Sequence, residues 1–174
     1  MLFRSRRRIR SVKNTAQITK AMQMVAASKM RREQEAALAG RPYAEALNRV
    51  LASLGNRVGS VSHPFLEKRE IRRPGALVIS TDKGLCGALN TNLMREVAML
   101  PKETVFVTIG KKGKQFLART GRELLADFEI KDDASSYRVR QVSQFLIDQF
   151  LGHKIDSLSV LHTRFVNKIG RAHV

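Results

Sequence analysis

Tryptophan is absent from this chain, cysteine occurs once and proline four times in 174 residues. The lone Cys86 excludes an internal disulfide framework and fits a reducing compartment. No apolar run approaches the roughly 20 residues that a membrane-spanning helix requires, so the sequence encodes no spanning helix. Aromatics are sparse, and only Phe3 lies among the first 32 positions, which leaves little stacking support for nucleic acid. The histidines, His63, His153, His162 and His173, are scattered without metal-ligand spacing, so no metal site is expected. Acidic residues are missing altogether before Glu33, although that stretch carries ten Lys or Arg.

The charge that is present is lopsided. Of a formal +17, residues 1–73 hold 17 basic and 5 acidic side chains, and residues 74–174 hold 15 and 10. Such an imbalance concerns partners and association, not fold, and it points to an acidic counterpart: nucleic acid, anionic lipid or a protein surface. A solvated charged face is the ordinary outcome for a charge run, but such a face mixes signs and this one does not. The Arg-rich start MLFRSRRRIR shares the composition of a transit peptide, yet the helical pattern begins almost at once and leaves little room for a segment to be removed.

From about Arg6 to Leu54 apolar residues recur every three or four positions. Val12, Thr15, Ile18, Met22 and Val25 do so first, then Tyr43, Leu47, Val50 and Leu54. Alanines between them favour helix and close approach of a neighbour. The pattern predicts one long basic helix over residues 1–56, kinked near Pro42, whose stripe at Val12, Ile18, Met22 and Val25 needs a partner helix. Residues 57–74 are polar and punctuated by Gly and Pro, and read as a linker.

Past Pro74 the period changes. ALVIST (76–81) and TVFVTIG (104–110) are β-branched runs, and LLADFEI (124–130) and SLSVLHTRFV (157–166) are two further strand candidates. Helical stretches at 89–100, 112–119 and 135–151 separate them, the last with Val139, Val142, Phe145, Leu146 and Phe150 on one face. Strand alternating with helix predicts a small α/β domain over 75–168 with a mainly parallel sheet.

Ser80–Gly87, STDKGLCG, follows the first strand and precedes a helix, which is where α/β folds hold phosphate. The segment matches neither GxGxxG nor GxxxxGK[ST], and Lys83 precedes both glycines, so a tight turn is the plainer reading. Cys86 has no local base that would make it a nucleophile. Asp132-Asp133 reads as a solvated or capping pair.

ITKAMQMVAASKMRR (18–32) resembles the gamma subunit of F-type ATP synthase, the central rotor shaft. RPYAE (41–45), HPFL (63–66) and STDKGLCG (80–87) agree with that family in the same order. The resemblance implies that the long helix is half of an antiparallel coiled coil inside a ring of alpha and beta subunits. It also implies an α/β domain resting on the epsilon subunit and the c-subunit ring, and no catalytic site or cofactor on this chain. Acidic lever segments of beta would face Lys20, Met22, Lys29, Arg31 and Arg32, with the turn around Lys83 and Cys86 as a second contact. The complex would place the chain peripherally at the cytoplasmic face of a bacterial inner membrane, meeting the membrane only through its partners. Residues 169–174, IGRAHV, resemble a translated sequencing adapter, so the chain is expected to be a fragment whose closing helix lies beyond it. Alone it would then expose its stripe and aggregate or fray. A basic helical nucleic-acid-binding module is the alternative that composition allows, and it predicts steeply salt-dependent binding. A membrane-surface helix is disfavoured by Ala and Thr where large anchors belong, and an α/β enzyme would have to use the 82–87 loop.

Overall fold

The computed structural model describes residues 2–55, 63–65, 67, 69–130 and 136–164. The chain divides into two compact units, Met1–Val61 and Ser62–Val174. The expected adapter tail and Asp132-Asp133 lie outside the described residues.

Among the described residues the first unit is a single helix, α1 (Leu2–Gly55), which at about 1.5 Å per residue is about 80 Å long. Pro42 sits inside it, and the helix continues past it. Within α1 the hydroxyls of Thr15 and Thr19 donate to the carbonyls of Ser11 (3.0 Å) and Thr15 (2.8 Å), which saves each from competing for water. Side chains 5–53 are exposed, apart from the half-buried Gln34 and Arg41. A helix this long with no buried face takes little stability from packing against its own chain, and helix propensity alone supports such a rod weakly.

The second unit is a four-stranded, all-parallel sheet in the order β3-β2-β1-β4. Its elements are β1 (Pro74–Ile79), α2 (Leu89–Met99), β2 (Val105–Ile109), α3 (Lys111–Thr120), β3 (Leu124–Phe128), α4 (Ser136–Leu151) and β4 (Ser157–His162). Alternation along the strands feeds two cores. Ala76, Val78 and Phe106 turn one way to meet Leu93, Met94 and Val97 of α2 and Leu117 of α3. Leu77 and Val107 turn the other way to meet Val142 and Leu146 of α4. The mainly parallel α/β domain expected from the alternation is therefore present, with both central strands buried on both faces. Val139 of α4 remains exposed because the second core starts one turn further along the helix.

β1 begins at Pro74, two residues before the β-branched run suggested, because Pro74 and Gly75 pair with Ser157 and Leu158 of β4. Proline needs no ladder donor at a strand's first residue. At the other end of the domain, Arg122 gathers the loose carbonyls that end α2. It donates to Ala98 (3.1 Å), Leu100 (2.9 Å) and Pro101 (2.6 Å) while lying over the Phe106 ring. Phe65 stacks on Phe150 at 5.5 Å, and Arg69 covers the same ring and donates to its carbonyl. Phe65 and Arg69, within the expected linker 57–74, are thus docked on the end of α4.

Candidate interaction surfaces

Successive residues of α1 lie about 100° apart, so the helix assigns each candidate side chain to a face. Ile18, Met22 and Val25 follow steps of four and three, and the same steps continue to Lys29, Arg32, Ala36, Ala39 and Tyr43. Lys29 and Arg32 therefore sit on the apolar seam. Lys20 and Arg31 fall on the far side of the helix, close to Lys13. Val12 lies about a third of a turn from Ile18 and outside the seam. The expected cationic flank is thus two groups, because cations close together along the chain lie far apart around the helix.

All the seam residues are exposed, Met22 to 67 %. Ile9, Met24, Met30 and Leu38 are exposed as well, on other sides of the rod. Apolar side chains in open view on several faces suit a helix enclosed by neighbours, and methionine adapts to more than one of them. Arg31 is partly satisfied by Glu35 at 2.9 Å, one turn on. In an exposed position such a pair contributes only a few tenths of a kcal/mol.

The loop after β1 is held by side chains that no spacing rule singled out. Ser80 Oγ accepts from the Gly113 N–H at 2.8 Å, the Thr81 carbonyl accepts from the Lys112 N–H at 3.1 Å, and the Asp82 carboxylate accepts from the Lys111 N–H at 3.1 Å. The N-terminus of α3 is therefore filled by the chain's own oxygens. Asn90 of α2 ties the loop from behind: its Nδ2 donates to Thr81 Oγ1 at 2.7 Å and to Cys86 Sγ at 3.1 Å. That leaves Cys86 half-buried as a packed acceptor, with Lys83 exposed at the tip. Left-handed backbone falls on Leu85 (φ 63°) and Gly87 (φ 60°), and the Leu85 side chain stands wholly in solvent. A leucine held at positive φ and aimed outward is a strained, presented contact. No sequence signal marked it, since the neighbouring glycines were the expected seats of that conformation. Among the described residues no group of three or more His, Cys, Asp or Glu is placed to hold a metal ion, and no helix is long and apolar enough to cross a membrane.

A long helix with open apolar faces, followed in the chain by a parallel α/β unit, is an architecture shared with a stalk chain of a rotary complex. The fold aligns with a chain of the Tetrahymena thermophila mitochondrial ATP synthase central stalk and c-ring structure, with a TM-score of 0.69 and 27 % identity over 88 % of this chain and 68 % of that one. A family model described as ATP synthase matches residues 2–173. The ATP synthase gamma chain of Opitutus terrae is 51 % identical over 94 % of this chain, and that of Methylacidiphilum infernorum 47 % over 94 %. The chain belongs to the ATP synthase gamma-chain family. It spans 56 % and 58 % of the lengths of those two relatives. Neither relative supports the nucleic-acid reading.

Proposed function

We propose that this protein acts in the central stalk of the F1 sector of a proton-translocating ATP synthase. Its shaft turns inside the ring of alpha and beta subunits, and its α/β domain rests against the epsilon subunit and the c-subunit ring. Proton flow drives the rotation, and the shaft presents a different side to each beta subunit in turn, so that synthesis or hydrolysis of ATP takes place on beta and not on this chain. The observation that carries this reading is α1, a basic rod with apolar residues exposed on several faces. No cofactor is required here, and the chain meets the membrane, at the cytoplasmic face of a bacterial inner membrane, only through its partners.

The charges suit a bearing better than a lock. Lys20 and Arg31, with the exposed Lys83 beside Cys86 as a second contact, offer solvated attraction to acidic segments of beta. Such attraction is weak enough to be exchanged between equivalent subunits as the shaft turns. Fixed, buried ion pairs would hold one angle.

Grafting residues 2–164 onto the Opitutus terrae gamma chain, in place of the matching segment, tests the reading. The chimera should assemble with alpha and beta subunits and support ATP-driven rotation and proton pumping. A chimera that assembles but hydrolyses ATP without rotating would overturn it.

A further inference from the structure

The helices α2 and α3 share one face of the sheet and leave an open groove of about 800 Å³ between them. Its floor is apolar, formed by Met94 and Ala98 of α2 and Phe116 of α3. Its rim is cationic, formed by Arg95, Lys112 and Arg119, and no acidic residue lines it. Across the two helices Glu96 is the only acid, and it lies outside the lining.

The pairing of the neighbouring cations makes this arrangement informative. On the same helix, Lys111 reaches Glu129 at 3.5 Å and Lys114 reaches Asp127 at 2.9 Å. Arg95, Lys112 and Arg119 have no side-chain hydrogen bond or ion pair among the described residues. The domain thus neutralises the cations that lean toward β3 and leaves the three around the groove open. Lys112 also runs beside Gly84, so the groove meets the β1–α2 loop at one end.

We propose that this groove docks an amphipathic helix of a partner chain, one with a narrow apolar stripe flanked by carboxylates. Two side-by-side helices present a trough into which the ridge of a third can settle. The apolar floor is too narrow to hold a partner by area alone, so the three cations supply register and orientation. At the start of α3 the Lys111 and Lys112 N–H groups already bond to Asp82 and Thr81, so that end of the groove is closed to a phosphate. The inference stands on the groove alone and does not depend on the stalk reading.

Fluorescence anisotropy on the whole chain with three labelled synthetic helices tests it. The first carries a leucine stripe flanked by glutamates, the second has the leucines replaced by serine, and the third has the glutamates replaced by lysine. Only the first should bind, and Arg95→Glu with Arg119→Glu should weaken it by about tenfold or more, the order that losing charge-assisted contacts produces. Arg140→Glu with Lys154→Glu, which makes the same charge change away from the groove, should leave binding within about twofold. Equal loss in both double variants, equal binding of the serine helix, or no binding of the first helix would overturn the proposal. So would inorganic phosphate, a DNA oligonucleotide or anionic vesicles displacing the first helix from the wild-type chain but not from the Arg95/Arg119 variant.

Discussion

Arg73 and Asp156 are bonded to each other twice: the Arg73 N–H donates to the Asp156 carboxylate at 2.8 Å, and the Asp156 N–H donates to the Arg73 carbonyl at 3.0 Å. The Arg72 N–H reaches the same carboxylate oxygen at 3.1 Å. These residues stand immediately before β1 and β4, whose register starts at Pro74 and Ser157, so the clamp fixes how the two strands enter the sheet.

The clamp is pH-dependent in a definite direction. The Arg73 and then the Arg72 N–H hold the Asp156 pKa below its ordinary 3.8, with help from the charges of Arg69 and His153 and against the opposing effect of burial. A carboxylate whose folded pKa is depressed contributes stability above its unfolded value and loses it as pH falls through the folded one. Asp156→Asn should therefore lower the urea midpoint at pH 7, and the gap from wild type should narrow as pH falls below 3.8. A gap of constant size across that range would show that the carboxylate's charge is not what the clamp uses.

Glycine substitutions should separate the two units by sign. Gly110 opens α3 at φ +97°, and a Cβ there would collide with the carbonyl oxygen of Ser80. Gly110→Ala should cost about 3 kcal/mol or more, and Ser80→Ala, which strips the acceptor from the Gly113 N–H, about 1–3 kcal/mol. Gly40 lies within α1 with nothing near the position of a Cβ. Gly40→Ala should stabilise that helix by about 0.5–1 kcal/mol. Thermal melts followed by circular dichroism would detect all three, and a stabilising Gly110→Ala would contradict the geometry of the β1–α2 loop.

Much of this architecture is legible in local sequence because it rests on local causes. A β-branched run and three-to-four steps place β2, α2 and α4 to within a residue or two. What escapes is set by residues far apart in the chain. Ser80 meets Gly113 and Asp82 meets Lys111 only after the sheet has formed, so the closure of the α3 N-terminus cannot be read from STDKGLCG alone. The start of β1 is obscured by proline and glycine, residues usually depleted in strands and tolerated here by position. On α1 the cations are plain in the sequence, but their spacing around the helix, not their number, decides which of them share a face with Ile18 and Met22.

That division of the cations yields a prediction that a uniform basic flank would not. Lys29 and Arg32 lie on the seam, where the stalk reading puts a second helix, and enclosing the Arg32 charge there without a counter-ion is costly. The segment facing Arg32 should therefore supply a carboxylate, and Lys29→Glu with Arg32→Glu should impair shaft pairing and lower the yield of assembled complex. Lys20 and Arg31 point away from the seam toward whatever surrounds the shaft. Lys20→Glu with Arg31→Glu should leave assembly intact but reduce torque or loosen the coupling of ATP hydrolysis to proton pumping. Native gel yield and single-molecule rotation of the two double variants in the Opitutus terrae chimera would measure this. Equal defects in both assays would mean that the two groups share one surface, and the assignment of faces to α1 would have to be withdrawn.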